Sequence, residues 1–328
     1  YNNKSVEASG SKKSLPEIAV RPYVGANSQK ADIFAKQYVL VDMDTNKVLL
    51  KESYKDRVPI ASTTKIMTAV VVLENYDMDE VVTISQKAAS QPGATANLRV
   101  GEKLTVISLL KAMLIKSANG AAYALAEHMN ELDSAGMVKS ASTAPKLSVS
   151  NGDERGAGDQ NEEEVPSESA INSVLSDKSS ISKFLAAMNS KAGELSMNDS
   201  FYQDTAGLDT TGYSSAYDLF IITKYALKND IFAQIVKSPE ESIRNVEGTI
   251  WHQLVNSNRL VREYQYPGAI GVKTGYMPDA GHVLVSAAKR EGHTLIGVII
   301  NTFADTAPAS ADESRKLLDW GFQNVAWK

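Results

Sequence analysis

The chain of 328 residues contains no cysteine, which excludes disulfides, thiol nucleophiles and thiolate metal sites together and leaves the compartment unreadable from redox chemistry. Histidine is almost as scarce. His128, His252, His282 and His293 are scattered and no His-Glu-x-x-His occurs, so zinc peptidase chemistry has no local motif. No local motif supports a Ser-His-Asp triad either, although its members need not be adjacent. Long apolar runs are also missing: the stretch from Ile66 to Leu73 is interrupted by Thr68 and falls far short of the roughly 20 residues that span a bilayer, so no transmembrane segment is expected. Neither sign of charge dominates. With 34 basic and 39 acidic side chains the net charge is −5, which gives no electrostatic footprint for nucleic acid. The first residues, Tyr1, Asn2, Asn3 and Lys4, show no charged-then-apolar leader, so an export signal either was removed ahead of this numbering or never existed.

Present instead is the balance of a globular chain, 43% hydrophobic and 22% charged, long enough for one large domain or two modest ones. Residues 1–33 are polar, with Pro16 and Pro22, and read as a lead-in or tether. Between 131 and 180 Ser, Ala, Gly, Asp and Glu dominate, including the run Glu162, Glu163, Glu164. That segment reads as a disordered insertion, because it lacks the apolar residues that would offset the entropy of ordering.

Tyr38 to Met43 and Val48 to Lys51 flank Asp44, Thr45, Asn46 and Lys47, and His282 to Lys289 and Thr294 to Ile300 flank Glu291 and Gly292; both read as β-hairpins. Two hairpins from opposite chain ends predict one antiparallel sheet, and apolar spacing predicts helices between them over Ser62 to Glu74, Leu104 to Ile115 and about Ser215 to Leu227. A last helix is expected to start at Ser310, with Glu313 completing a capping box, and to end near Gly321 on that sheet. The fold class is therefore α+β, an α/β sandwich with a helical subdomain.

Three clusters carry chemistry. Ser62-Thr63-Thr64-Lys65 puts a hydroxyl and an amine one turn apart at a helix start, where a lysine of lowered pKa can take a serine proton. The spacing is common: Ser9, Ser108, Ser180 and Ser286 share it. Ser9 and Ser180 lie in polar stretches, Ser108 lies within an amphipathic helix, and on a strand Ser286 and its lysine would face opposite ways. Ser62 opens a helix just after Pro59, and its ordinary reading is an N-cap beside a solvent lysine. Ser117-Ala118-Asn119 falls at an interhelical turn, and alone it is a turn. Lys273-Thr274-Gly275 precedes the strand near His282 and offers a cation, a hydroxyl and room for close backbone approach; its ordinary reading is a strand-end turn.

Together they follow the Ser-x-x-Lys, Ser-x-Asn, Lys-Thr-Gly order of penicillin-binding proteins and class A β-lactamases. From Tyr38 to about Phe322 the chain resembles the low-molecular-mass serine D-alanyl-D-alanine carboxypeptidases. The likeness extends to Pro59 through Thr68, Ser117 through Ala122, Ala206-Gly207-Leu208, Gly271 through Tyr276 and Leu317 through Phe322. It implies that 34–328 is a transpeptidase-like catalytic domain with a penicillin-binding protein/serine β-lactamase-like fold. Ser62 would be the acylated nucleophile, Lys65 its base, Ser117 a proton relay and Asn119 the group orienting the substrate amide. Lys273 and Thr274 would engage the substrate carboxylate, with Gly275 in the same strand. The N–H groups of Ser62 and Tyr276 would form the oxyanion hole, and Arg259 would lie near the terminal carboxylate, with Arg262 close by.

The implied substrate is a peptidoglycan stem peptide ending in D-Ala-D-Ala, the implied inhibitors are β-lactams, and no metal or organic cofactor is implied. The implied location is extracytoplasmic, at the outer face of the membrane or in the periplasm. Two departures stand out: the insert after Met129, and Asp204, where the family often has asparagine. Rival readings are a serine β-lactamase, whose water-activating glutamate loop is not recognisable here, and a non-catalytic cell-wall binding module, which would not need the Ser62 and Lys65 pair.

Overall fold

The computed structural model describes residues 21–26, 28, 31–134 and 179–328. The strands are β1 Pro22–Val24, β2 Ala35–Asp42, β3 Val48–Glu52, β4 Val81–Thr83, β5 Lys103–Thr105, β6 Glu240–Arg244, β7 Trp251–Val255, β8 Ala269–Met277, β9 Gly281–Arg290, β10 His293–Thr302 and β11 Val325–Trp327. The helices are α1 Lys65–Asn75, α2 Gln86–Ala89, α3 Val106–Ile115, α4 Asn119–Ser134, α5 Ser182–Glu194, α6 Ala216–Ala226, α7 Asp230–Lys237, α8 Arg259–Arg262 and α9 Ala309–Asn324.

The central sheet runs β3-β2-β10-β9-β8, antiparallel throughout. Four of its strands are the two expected hairpins, joined where β2 pairs with β10; the fifth, β8, pairs with β9 and carries Lys273, Thr274 and Gly275 within the strand rather than in a turn ahead of it. Successive side chains point to opposite faces of a strand, and here both faces are covered. Leu40, Leu284, Leu295 and Ile299 pack with Leu317 and Leu318 of α9 on one side. Val39, Val41, Val283, Val285, Val298 and Ile300 join Ile66, Met67 and Leu110 of the helical block on the other. Double burial explains why these strands read as continuous apolar runs rather than alternating ones.

Several boundaries differ from expectation. The lead-in assigned to 1–33 contains β1, which pairs antiparallel with β11 from Pro22↔Trp327 to Val24↔Val325; three residues were too short a signal to stand out from the polar sequence around them. Leu104 belongs to β5, and α3 begins at Val106 behind the Thr105 cap. The capping box at Ser310 does not form. Helix α9 starts at Ala309, Ser310 lies within it, and the Glu313 carboxylate instead accepts the Phe34 N–H, tying the helix to the start of β2. The helix also continues past Gly321 to Asn324. The insertion expected over 131–180 lies largely outside the described residues; of its edges, 131–134 complete α4 and Ser179 precedes α5.

Candidate active site

The site lies where the sheet edge β8 meets the helical block. Ser62 sits not in α1 but in the 3₁₀ turn Ala61–Thr64 that feeds it, with Ala61 at φ 46°, and Lys65 is the first residue of α1. Strand β8 runs close against this turn. A Cβ on Gly275 would stand 3.1 Å from both the Ser62 nitrogen and the Ala61 Cβ, so a glycine there lets the Lys-Thr-Gly strand approach the serine. Ser117, at φ 64°, and Asn119 occupy the α3–α4 junction, as expected. The Asn119 backbone N–H bonds to the Ala94 carbonyl and its side-chain amide donates to the Pro92 carbonyl, which fixes which of its side-chain atoms faces inward.

Lys65 Nζ lies 2.8 Å from Ser62 Oγ, 2.7 Å from Asn119 Oδ1 and 2.8 Å from the Ala206 carbonyl oxygen. Two of these three partners are pure acceptors, and the third is a hydroxyl able to donate. A neutral amine has two N–H bonds and one lone pair. A neutral Lys65 can donate to Asn119 and Ala206 and accept the Ser62 proton, and a cationic one can donate to all three oxygens. The electrostatics favour the neutral form: burial, and then the charge of Lys273, hold the Lys65 ammonium well below the ordinary lysine range, against a smaller upward pull from Asp204.

Lys273 is buried as deeply. Its Nζ donates to Ser117 Oγ and to the Thr274 carbonyl, both at 2.9 Å, and burial lowers its pKa to about 7. Around these groups opens a cleft of about 450 Å³ lined by Ser62, Ser117, Asn119, Thr274 and Tyr276, with Arg259 and Arg262 at its rim. Arg259 and Arg262 both pair with the Glu263 carboxylate, so neither guanidinium is uncommitted.

The structure thus brings together Ser62, Lys65, Ser117, Asn119, Lys273, Thr274, Gly275 and Tyr276, and sets Arg259 at the margin. Sequence reasoning did not find Ser257, whose hydroxyl lies 2.6 Å from the Thr274 hydroxyl, or the part played by the Ala206 carbonyl. A backbone acceptor leaves no residue-type signal; the Ala206-Gly207 pair was its only trace. Gly207, at φ 79°, is crowded so tightly that a Cβ would fall 1.8 Å from the Ala61 carbonyl oxygen. Three of the histidines do not line the cleft: His128 pairs with Glu80, His252 with Glu102, and His293 stacks on Trp327, whereas His282 lines it, packing its ring on Tyr276 and pairing with Asp305.

A buried amine facing a serine hydroxyl, with a second amine across the cleft, defines the class of serine acyl-transfer sites. The comparisons with known proteins agree. A family model described as D-alanyl-D-alanine carboxypeptidase matches residues 24–139 and 176–304. The chain is 32% identical over 295 residues to D-alanyl-D-alanine carboxypeptidase DacF of Bacillus subtilis, covering 88% of this chain and 62% of that relative. It is also 32% identical over 294 residues to a Streptomyces (strain K15) D-alanyl-D-alanine carboxypeptidase, covering 85% of this chain and 84% of the relative. The crystal structure of the Streptomyces K15 DD-transpeptidase superposes with a TM-score of 0.72 at 29% identity, over 90% of this chain and 99% of that one. The chain belongs to the D-alanyl-D-alanine carboxypeptidase family of serine peptidases.

Proposed function

We propose that this chain is a serine D-alanyl-D-alanine carboxypeptidase that removes the terminal D-alanine from peptidoglycan stem peptides through an acyl-Ser62 intermediate. The observation that carries the reading is the set of partners around the buried Lys65 amine, which lies within hydrogen-bond distance of the Ser62 hydroxyl and of two oxygens that can only accept. Ser62 Oγ attacks the carbonyl carbon of the penultimate D-alanine as its proton passes to Lys65 Nζ. The N–H groups of Ser62 and Tyr276 receive the developing oxyanion. The proton is delivered to the departing amine of the terminal D-alanine, with Ser117 and Lys273 as the relay. Asn119 orients the substrate amide. Water then hydrolyses the ester and restores Ser62.

Lys273 and Thr274 face the substrate carboxylate, with Arg259 as a more distant cation. β-lactams, which present an acyl group and a carboxylate in a similar arrangement, acylate the same serine. Membership of the family supports an activity outside the cytoplasmic membrane, and among the described residues no helix is long and apolar enough to cross a membrane. The domain reading is that 34–328 forms the catalytic unit.

The test is release of D-alanine from an N-acylated Lys-D-Ala-D-Ala tripeptide, followed with D-amino acid oxidase. Release by the wild-type chain and not by Ser62→Ala is expected. A wild-type chain that releases none while turning over a chromogenic cephalosporin rapidly would favour the β-lactamase; one that neither releases D-alanine nor reacts would be a binding module.

A further inference from the structure

The reaction scheme above gives no part to the carboxylate next to Lys65. Asp204 begins the loop behind Lys65, and its carboxylate accepts three successive backbone N–H groups: Gly207 at 2.8 Å, Leu208 at 2.5 Å and Asp209 at 3.2 Å. The carbonyls preceding that run point the other way, into α1. Thr68 Oγ1 donates to the Thr205 carbonyl at 2.7 Å, and Lys65 Nζ donates to the Ala206 carbonyl at 2.8 Å.

The Ala206–Gly207 peptide group is therefore shared: its oxygen takes the Lys65 amine and its N–H reaches the Asp204 carboxylate. A carboxylate at one end of an amide polarises it and makes its carbonyl a better acceptor at the other. A cationic Lys65 is favoured by both that carbonyl and the charge beyond it.

We propose that Asp204 is a positioning residue that acts through the Ala206–Gly207 peptide group to hold the Lys65 amine in place and raise its affinity for a proton, an inference that rests on Lys65 serving as the base for Ser62. The purpose is chemical. Burial and Lys273 both weaken Lys65 as a base, and a base serves best when its pKa lies near the working pH. The charged and titratable groups that bear on the amine are Lys273 from β8 and Asp204 itself, with the neutral Ser62 and Asn119 in contact. Facing Asp204 are Lys65 from α1 and Asp209 in its own loop, and Tyr202 and Tyr213 line the same recess. The Asp209 carboxylate is turned to the Thr211 hydroxyl and N–H.

Asp204→Asn keeps an oxygen for the loop and removes the charge. The experiment compares second-order acylation of wild-type and Asp204→Asn chains by a fluorescent penicillin from pH 5 to pH 10. In the variant the plateau should fall while the acid limb moves to lower pH, so that the rate at pH 6, relative to each chain's own plateau, rises about threefold or more. A uniform loss with an unchanged profile, or a limb displaced to higher pH, overturns the proposal. Absence of wild-type labelling at Ser62 would instead overturn the reading of the site itself.

A second measurement needs no variant: the Asp204 ¹³Cγ resonance of the wild-type chain, assigned through the backbone, should show an inflection at the pH of the acid limb in addition to its own. A single inflection well away from that limb contradicts the coupling.

Discussion

On the outer face of the sheet Leu317 and Leu318 of α9 are fully buried against Leu40, Leu284, Leu295 and Ile299. On the inner side, where α1 meets β8, Lys65 and Lys273 are just as fully buried, yet each ends in an amine. The two regions share a degree of burial and differ in what it does. Between α9 and the sheet, removal from water stabilises the fold, roughly in proportion to the apolar area hidden. In the cleft the same removal penalises a charge, and the response is a lowered proton affinity rather than a tighter fold. Enclosure thus fixes shape in one place and reactivity in the other.

If that contrast is right, the largest effects come from the cleft and are effects on rate. Ser62→Ala should abolish covalent penicillin labelling, a loss of about 10³-fold or more, while leaving the thermal midpoint nearly unchanged. Lys65→Met, which fills much the same space without an amine, should slow acylation by about 10²- to 10⁴-fold, measured with a fluorescent penicillin. A variant retaining more than a tenth of the wild-type rate would show that another group takes the serine proton.

The outer face should behave in the opposite sense. Leu317→Ala is expected to cost about 2–5 kcal/mol in denaturant unfolding, with acylation of the folded fraction unchanged. A selective loss of acylation would show that the two faces are not separable.

The effect of pH on stability sharpens the comparison further. Lys273 has its pKa lowered to about 7 in the fold from 10.5, so between those limits the unfolded chain binds more protons than the folded one. Stability from this group therefore rises as pH increases through that window, by on the order of a few kcal/mol at full extent, and Lys65 acts in the same direction. The thermal-midpoint gap between Lys273→Met and the wild type should shift in favour of the wild type from pH 7 to pH 10. A constant gap would mean that Lys273 is not depressed.

The smallest effect is expected at the rim. Arg259→Ala breaks a half-exposed pair with Glu263, of a kind worth only about 0–1 kcal/mol. It should raise KM for the tripeptide several-fold with little change in kcat.

Sequence made the sheet legible because both of its faces are covered, which turns strands into unbroken apolar runs bounded by turn residues. The site was legible for a different reason. Side chains that do chemistry keep their type and order, so Ser62, Lys65, Ser117, Asn119 and Lys273 could be found although 211 positions separate the first from the last. Contacts through the backbone stayed hidden: the Ala206 carbonyl on Lys65 and the N–H groups on Asp204 depend on chain path, not residue type. Short elements were hidden as well. Strand β1 gains its order from β11, nearly the whole chain away, and Glu313 serves Phe34 where local pattern suggested a cap.

The central claim is that the Ser62 hydroxyl, facing the buried Lys65 amine, is the group that becomes acylated. Mass spectrometry of a tryptic digest after brief exposure to benzylpenicillin tests it most directly. The account predicts a single penicilloyl adduct confined to the peptide spanning 58–65 and absent from Ser62→Ala. That peptide recovered unmodified, or the adduct found on another segment, would contradict it.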